Sequence, residues 1–278
     1  MSQVLLTPLR LRGALRLVFR QHQAPNFLMA TEGQEQHYAN VAKVYESTWC
    51  YQEDGECQKY LCREVVGFLP KACKSIVDLG CGTGSFSIML QRASGVTVQG
   101  VEPSAAMAAK AEERGLPVVV DGALEWAASE TGVAAADLLL LKEVRHHFED
   151  PAKVYKALAE RRMAPGGRIL MITRPDTSQS YPFPAAAHTA WEAGITVKMD
   201  RHLEALEAAG LSNIQVVDRP FPVSMQREEW ERLLRMRFWS NLSAVSDEDM
   251  ESGIADLKLP DTVEFDDQFK FIVADKPL

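Results

Sequence analysis

The sequence has no run of about 18 apolar residues, which excludes a helix that spans a membrane. It has no Cys-x-x-Cys pair and no second ligand group near its five cysteines, so we expect reduced thiols and no metal. It also lacks an excess of basic residues, with a formal net charge of −8 over 278 residues. A chain of this charge does not bind a phosphate backbone through bulk charge. The sequence therefore predicts neither stable membrane insertion nor nucleic-acid binding.

Acidic residues are absent from residues 1–30, which contain four arginines. Arg12, Arg16 and Arg20 recur every four residues and would share one face of a helix. This pattern is typical of an organelle transit peptide and predicts a mitochondrial protein. The alternative is a helix that packs on the domain or binds a membrane surface. A start at Met29 would give a cytoplasmic form.

Residues 31–278 have the pattern of a single domain in which strands alternate with helices. Short apolar runs are separated by alanine-rich or amphipathic stretches, which predicts βαβ crossovers. We expect an α/β fold with a doubly wound, mostly parallel seven-stranded sheet, whose ligands bind at the carboxyl ends of the strands. The strands are predicted over residues 75–79, 96–101, 117–120, 137–141, 168–173, 214–218 and 269–274.

A glycine loop joins the first predicted strand to a helix. It reads Asp78-Leu-Gly80-Cys-Gly82-Thr-Gly84. Glycines at this spacing permit a tight turn and a close approach of the backbone to a ligand. Ser85 stands where the dinucleotide fingerprint requires its third glycine. The Asp78 carboxylate would repel a pyrophosphate and attract an ammonium or a hydroxyl. The loop therefore predicts a ligand that is an amino-acid-bearing nucleoside.

The run Val-Asp-Leu-Gly-Cys-Gly-Thr-Gly, residues 77–84, is similar to the first motif of the class I S-adenosylmethionine (SAM)-dependent methyltransferases. The resemblance covers about residues 36–218 and the last strand. It implies a Rossmann-like methyltransferase fold with SAM as cofactor. In that case Asp78 orients the amino-acid end of SAM, and the loop that cradles it consists of Gly80, Cys81, Gly82 and Gly84.

The resemblance also implies where the nucleoside binds. Glu102 ends the second strand, where the family has an acid that binds both ribose hydroxyls. Pro103 and Met107 follow it and would pack on the adenine. Asp121 and Ala123 lie after the third strand, where such enzymes often place an acid against the adenine amine. The alternative for Asp121 is a cap at the start of a helix.

The end of the fourth strand resembles the ubiquinone- and menaquinone-biosynthesis-like, type 11 branch of the family, because it leads into His-His-Phe. The resemblance places Lys142 and Glu143 where the strand meets the methionine moiety of SAM. His146 or His147 is a candidate general base, since an imidazole suits proton removal near neutral pH. The alternative is that one of them is a buried, hydrogen-bonded turn residue.

A segment before the glycine loop offers one further cofactor contact. Tyr45 lies seven residues after Tyr38 on a predicted amphipathic helix, similar to a segment that closes over the cofactor in many relatives. Seven-residue spacing is equally typical of a helix that packs on the core.

Two stretches, residues 174–198 and 219–265, are insertions into the alternating plan and predict helical lids over the strand ends. Aromatic side chains and arginines in them suit a small acceptor that is aromatic or carboxylate-bearing, because arginine binds carboxylates through two hydrogen bonds. The candidate acceptor residues are Arg174, Tyr181, Trp191 and Arg237.

These features predict a SAM-dependent methyltransferase that acts on a small-molecule acceptor. The alternative is a non-catalytic or protein-modifying assembly factor that binds SAM, since it would carry the same glycine loop. Nucleic-acid methylation is disfavoured, because no Asn/Asp-Pro-Pro-aromatic run follows the fourth strand to hold a flipped base.

Overall fold

The computed structural model describes residues 48–129 and 135–278. The predicted transit peptide, Tyr38 and Tyr45 lie outside these residues. Within the two described ranges, no helix has the length and apolar character needed to cross a bilayer.

The described residues form one seven-stranded sheet in the order β3–β2–β1–β4–β5–β7–β6. The first five strands are parallel, and β7 runs antiparallel to both of its neighbours. The mostly parallel, seven-stranded sheet predicted from the sequence is thus confirmed. The strands are β1 (Ser75–Leu79), β2 (Thr97–Val101), β3 (Val118–Val119), β4 (Ala136–Lys142), β5 (Met163–Thr173), β6 (Ser212–Gln226) and β7 (Thr262–Asp275).

Several helices begin where a side chain can accept a hydrogen bond from their first turn. Ser104 caps one helix, Asp150 caps another whose first residue is Pro151, and Ser246 caps a third. The helices are α1 (Glu56–Gly67), α2 (Ser85–Ser94), α3 (Ala105–Glu113), α4 (Ala123–Ala128), α5 (Pro151–Arg161), α6 (Ala185–Gly194), α7 (Met199–Ala208), α8 (Arg227–Arg235) and α9 (Asp247–Asp256).

The sheet is covered on both faces, as its apolar strands require. In β4, Leu138 and Leu140 belong to the core shared with α1, α2 and α3, whereas Leu139 and Leu141 belong to the core shared with α4, α5 and α7. Neighbouring side chains of a strand point to opposite faces, so an uninterrupted leucine run fills both layers. The strand order reverses between β1 and β4, which places the carboxyl ends of these two strands at the expected ligand-binding edge.

The second predicted insertion is shorter than the sequence indicated. Strands β6 and β7 continue as a paired hairpin as far as Gln226 and Thr262, so residues 219–226 and 262–265 are strand. Pro220 and Pro222 hide this strand from sequence patterns, but an edge strand tolerates proline. The lid helices α8 and α9 follow at the hairpin's end.

Together with the segment around α6, the lid helices form a third core, here called the lid cluster. Trp49 packs against it, with ring centroids 5.1–6.0 Å from four of its aromatic rings. The main aromatic members of the lid cluster are Tyr181, Phe183, Trp191, Trp230, Phe238 and Trp239.

Candidate functional site

The three glycines of the loop after β1 all have positive φ, between 56° and 76°. A Cβ at Gly80 would lie 2.3 Å from Cγ1 of Val144, and one at Gly84 would lie 2.8 Å from Cβ of Ala111. These two glycines are therefore required by packing against the turn after β4 and against α3. A Cβ at Gly82 would have no described atom within 4 Å. Gly82 is thus the position at which the loop backbone is open to a ligand.

Glu102 connects this loop to the end of β2. Its Oε2 accepts a hydrogen bond from the Gly82 amide at 2.9 Å, and its Oε1 accepts one from the Ser104 amide at 2.9 Å. Burial raises the pKa of the carboxyl group, and the two amide donors oppose that shift. Each carboxylate oxygen has a second lone pair, so Glu102 can still accept hydrogen bonds from two hydroxyls.

Asp78 lies at the floor of the same site, 2% exposed. Its Oδ2 accepts a hydrogen bond from Oγ of Ser87 at 2.5 Å. Its Oδ1 is buried and finds no hydrogen-bond partner among the residues that the structure describes. Burial raises the pKa of Asp78 to about 6, against the opposing effects of Ser87 and Lys142. An unpartnered buried carboxylate oxygen is unfavourable, which indicates that a ligand donates to it.

Lys142, the last residue of β4, supplies a cation near this carboxylate. Its Nζ lies 5.1 Å from the ring centroids of both Tyr51 and Phe86. Desolvation lowers the pKa of Lys142, whereas the charges of Glu143 and Asp78 raise it. An anion and a cation at one end of the site match the ammonium and carboxylate of an amino acid.

The residues expected at the adenine lie around the ends of β2 and β3. Oδ1 of Asp121 accepts a hydrogen bond from the Gly122 amide at 2.9 Å, and α4 has Gly122 as its N-cap, with no side-chain cap. The alternative role of Asp121 as a helix cap is therefore wrong, because its side chain binds the next amide instead. Val120, 54% exposed, adds an apolar surface at the end of β3. Three further residues near these strand ends are partly or fully exposed: Pro103, Met107 and Ala123.

A small cleft of about 80 Å³, open to solvent, lies between the carboxyl ends of β4 and β5 and the lid. Its polar wall includes Glu143, His146 and Arg174, and its aromatic wall includes Trp191 and Trp239. The cleft thus joins the turn after β4 to the lid cluster, in the position expected for an acceptor.

Arg174 lines the cleft, but carboxylates of the protein already bind its guanidinium group. Its Nε and Nη2 each donate to Asp267 at 2.8 Å, and its Nη1 donates to Glu143 at 2.6 Å. The side chain is 3% exposed and packs on aromatic rings. The expectation that Arg174 binds an acceptor carboxylate is therefore not supported by its contacts, because two protein carboxylates already compensate its charge.

Arg145 is a residue of this region that the sequence did not single out. It is 3% exposed, and it donates to Asp176 at 2.6 Å, to Oγ1 of Thr173 at 2.7 Å and to the Val197 carbonyl at 3.3 Å. It ties the turn after β4 to both ends of the 174–198 insertion. Its partners lie 28–52 residues later in the chain, so no local pattern indicated them.

His146 and His147 both reach solvent, which excludes the alternative of a buried turn residue for either. His146 lines the cleft, and surrounding protein atoms still desolvate its ring in part. That desolvation, together with the nearby positive charges, lowers the pKa of His146 to about 3. Desolvation also lowers the pKa of His147. Both imidazoles are neutral at physiological pH, and His146 is a weak base.

The remaining candidate acceptor residues have different surroundings. Trp191 lines the cleft and donates through Nε1 to the Pro175 carbonyl at 3.3 Å. Tyr181 is buried, and its hydroxyl donates to Asp267 at 2.7 Å. Arg237 donates to Asp247 at 2.6 Å within the lid and is not among the described residues that line the cleft. The structure therefore brings Arg174 and Trp191 together at the cleft, whereas Tyr181 and Arg237 are not among the described residues that line it.

Comparison with known sequences identifies a methyltransferase domain over most of the chain. A model of a family described as a methyltransferase domain matches residues 51–237. The ubiquinone biosynthesis O-methyltransferases of Methylobacterium nodulans and Ralstonia nicotianae are each 32% identical to the chain, over 162 and 116 residues. These alignments cover 52% and 40% of this chain and 63% and 48% of the two relatives. The match thus spans less than two thirds of either relative.

Solved structures share the fold at low sequence identity. The phosphoethanolamine N-methyltransferase 2 of Haemonchus contortus, in complex with SAM, has a TM-score of 0.57 at 19% identity, covering 89% of this chain and 59% of its own. The [4+2]-cyclase SpnF has a TM-score of 0.54 at 16% identity, covering 87% of this chain and 94% of its own. A fold that is common to a methyltransferase and a cyclase does not identify a reaction.

Proposed function

The chain belongs to the methyltransferase domain family, and on this premise we propose that it transfers the methyl group of SAM to a hydroxyl of a small, flat organic acceptor. The names of the two O-methyltransferase relatives support an oxygen acceptor. The observation that carries the proposal is the buried Oδ1 of Asp78, which has no hydrogen-bond partner among the described residues; Asp78 lies in β1, just before the open backbone of Gly82.

The residues of the site fit SAM. Asp78 would accept hydrogen bonds from its ammonium group, and Lys142 would bind its carboxylate. Glu102 would bind the two ribose hydroxyls through its oxygens. The apolar surface at Met107 and Val120 would contact the adenine. Oδ1 of Asp78 lacks a partner among the described residues, Met107 and Val120 are partly or fully exposed, and Lys142 has the charge opposite to that of the SAM carboxylate.

When bound, SAM would supply a methyl group on a sulfonium: the acceptor oxygen would bond to the methyl carbon as the carbon–sulfur bond breaks, leaving S-adenosylhomocysteine, and the hydroxyl proton would pass to solvent. The part left to the protein is therefore positioning and the exclusion of water. A flat acceptor would pack against the rings of Trp191 and Trp239, which line the cleft. Glu143 and the neutral His146 also line the cleft, where either can accept a hydrogen bond from the acceptor.

The lid favours a small acceptor over a protein partner. Its cluster packs over the cleft, so that Phe238 and Trp239 form part of the cleft wall while also lying in the lid core. An assembly factor would need the strand ends to be accessible to a partner. The position of the lid residues in the cleft wall therefore supports a small acceptor.

The test is to incubate the protein with labelled SAM and a fractionated metabolite extract and to measure S-adenosylhomocysteine. The Glu102→Ala variant is the blank, and the exposed Glu149→Ala variant is the matched control. Product above the blank, with the control unchanged, is the expected result. SAM binding without turnover in any fraction would favour the assembly factor. If SAM does not bind at all, the assignment of the loop from Asp78 to Gly84 is wrong.

We also propose that the chain is imported into mitochondria. The acid-free, arginine-bearing stretch over residues 1–30 supports this proposal. Fusion of residues 1–30 to a fluorescent protein should direct it to mitochondria, and replacement of the four arginines by glutamine should abolish that. A cytoplasmic signal from the unmodified fusion would contradict the proposal.

A further inference from the structure

We propose that Glu143 selects the acceptor: its carboxylate accepts a hydrogen bond from a hydroxyl or amine of the acceptor, and its charge excludes acceptors with a carboxylate at that place. This inference rests on the proposed function, because it takes the cleft between β4, β5 and the lid as the acceptor site. It assigns a substrate class, that of neutral or cationic hydrogen-bond donors.

The backbone of Glu143 is held in an unfavourable conformation. Its φ is +58°, in the left-handed region that residues other than glycine rarely adopt. Its amide donates to the Ile172 carbonyl at 2.8 Å, which fixes the residue directly after β4. Strain of this kind persists where the surrounding structure enforces it and is concentrated at ligand-binding sites. The residue is therefore held in place at the wall of the cleft.

Two polar atoms at this cleft are buried and have no hydrogen-bond partner in the described part of the chain. One is Oε1 of Glu143, which only accepts hydrogen bonds when ionised, and the other is Nε1 of Trp239, which only donates them. The tryptophan is 7% exposed. Both residues line the cleft. A hydroxyl both donates and accepts, so it can satisfy both atoms, whereas an amine can donate to Glu143.

The charges around the cleft exclude a carboxylate. Arg145 is paired with Asp176 at 2.6 Å, and Arg174 is paired with Asp267 at 2.8 Å. Glu143 also pairs with Arg174, at 2.6 Å, so three carboxylates contact these two guanidinium groups. The described charges of these five groups sum to −1, and the nearby cation Lys142 interacts with both Glu143 and Asp78. Neither guanidinium group is therefore left uncompensated to bind an anionic acceptor, whereas Glu143 can accept from a hydrogen-bond donor.

Arg174 also fixes the direction of the Glu143 side chain. Its Nη1 binds Oε2, and its other two bonds hold the guanidinium group on Asp267 in the protein interior. A carboxylate with one oxygen fixed and one unpartnered is prepared to accept a hydrogen bond without reorganising. Arg174 is thus a positioning residue for Glu143.

The test compares three probes of one ring size, namely 4-methylphenol, 4-methylaniline and 4-methylbenzoate. Each is titrated into the full-length protein, with and without S-adenosylhomocysteine, and binding is followed by ligand-observed NMR. We expect the phenol and the aniline to bind about tenfold or more tightly than the benzoate, the effect of one well-made hydrogen bond to a charged group. In Glu143→Gln, binding of the phenol and aniline weakens about tenfold and that of the benzoate strengthens.

Glu149→Gln is the matched control, because this glutamate is exposed on the loop beyond the histidines, and its ranking should equal that of the native chain. Trp239→Phe keeps the ring and removes the unpartnered N–H, so it should weaken phenol binding without admitting the benzoate. Melting temperatures of all variants show that each one folds. If Glu143→Gln fails to fold, the inference is tested by the order of the three probe affinities in the native chain and by the result for Trp239→Phe.

Equal or tighter binding of the benzoate by the native chain would overturn the inference. So would an unchanged ranking in Glu143→Gln, or the absence of binding by all three probes. Failure of S-adenosylhomocysteine to bind would contradict the proposed function instead, because the probe ranking is also measured in its absence.

Discussion

Arg174 and Asp267 form a bidentate ion pair in the interior, with Nε–Oδ1 and Nη2–Oδ2 distances of 2.8 Å. The two side chains are 3% and 0% exposed. Trp49 and Tyr181 donate to the same carboxylate at 3.1 and 2.7 Å. Four hydrogen bonds from three side chains thus converge on Asp267, in the middle of β7, and connect the sheet to the lid.

We expect Asp267→Asn to lower the free energy of unfolding by about 3–5 kcal/mol. The substitution keeps the volume but removes one of the two carboxylates on the buried guanidinium group and places an amide N–H against donors that Asp267 accepts from. Removal of one partner of a buried pair has this magnitude. Urea unfolding followed by circular dichroism measures the change. The control is Asp266→Asn, the neighbouring exposed aspartate. A loss no larger than that of the control would show that the ion pair contributes little to stability.

We expect Asp78→Asn to stabilise the ligand-free protein and to weaken SAM binding. The folded-state pKa of Asp78, about 6, lies above its ordinary value of 3.8. The native state therefore binds more protons than the unfolded state between these pH values, and wild-type stability falls as pH rises from about 4 to 6. The variant lacks this penalty, which is about 2–3 kcal/mol above pH 6 at 1.36 kcal/mol per pKa unit.

Thermal melts of the two proteins from pH 4 to 8 test this prediction. Their difference should grow up to about pH 6 and then remain constant, while the exposed Asp256→Asn control shows no such trend. The SAM affinity of the wild type should fall below about pH 6, as Asp78 is protonated. Glu102 contributes in the same direction, because its pKa is also raised. A pH-independent difference in stability would refute the account of Asp78.

The glycine loop and Glu102 could be predicted from the sequence because their signals are local. Gly80, Gly82 and Gly84 lie within five residues, and Glu102 is fixed by the end of the next strand. Parallel strands bring their carboxyl ends to one edge, so the fold follows from the alternation of strands and helices. The structure separates what the motif could not: Gly82 is open to a ligand, whereas Gly80 and Gly84 are required by packing.

The acceptor side was predicted less well because its contacts are distant in sequence. Arg174 was correctly placed at the cleft, but its partner Asp267 lies 93 residues later, within a strand whose pattern gave no sign of a buried carboxylate. Arg145 stands in a turn and finds its partners in an insertion. Arg237 fitted an amphipathic helix, yet it lies beyond the end of α8 and binds Asp247 within the lid. Pairings of this kind are set by tertiary packing.

We expect Lys142→Met to weaken SAM binding about tenfold without a loss of stability. The methionine keeps the length and apolar stem that pack between Tyr51 and Phe86, and it removes an ammonium that burial already disfavours. The loss of one charge-assisted hydrogen bond has about this effect on affinity. Calorimetric titration with SAM measures it, with the exposed Lys71→Met as the control. Unchanged affinity would show that Lys142 does not contact the cofactor.

We expect His146→Gln to lower kcat by less than about a hundredfold, because general-base catalysis contributes about 10²–10⁴ and an imidazole with a pKa near 3 is too weak a base to supply it. With saturating SAM, the pH profile of kcat should show no inflection between pH 5.5 and 7.5 that His146→Gln removes. His147→Gln is the control. A larger loss, with disappearance of an inflection near pH 6.5, would identify His146 as the base.

The aromatic composition of the lid gives the protein an optical signal of its own. The chain has five tryptophans, and four of them, Trp49, Trp191, Trp230 and Trp239, meet in or against the lid cluster, with three indole pairs 5.3–6.5 Å apart around Trp239. The fifth, Trp126, lies in the core on the far face of the sheet. Indoles at these separations exchange excitation energy, and two of the four line the cleft. Ultraviolet emission therefore reports mainly on the lid, and a molecule that enters the cleft changes it without any label.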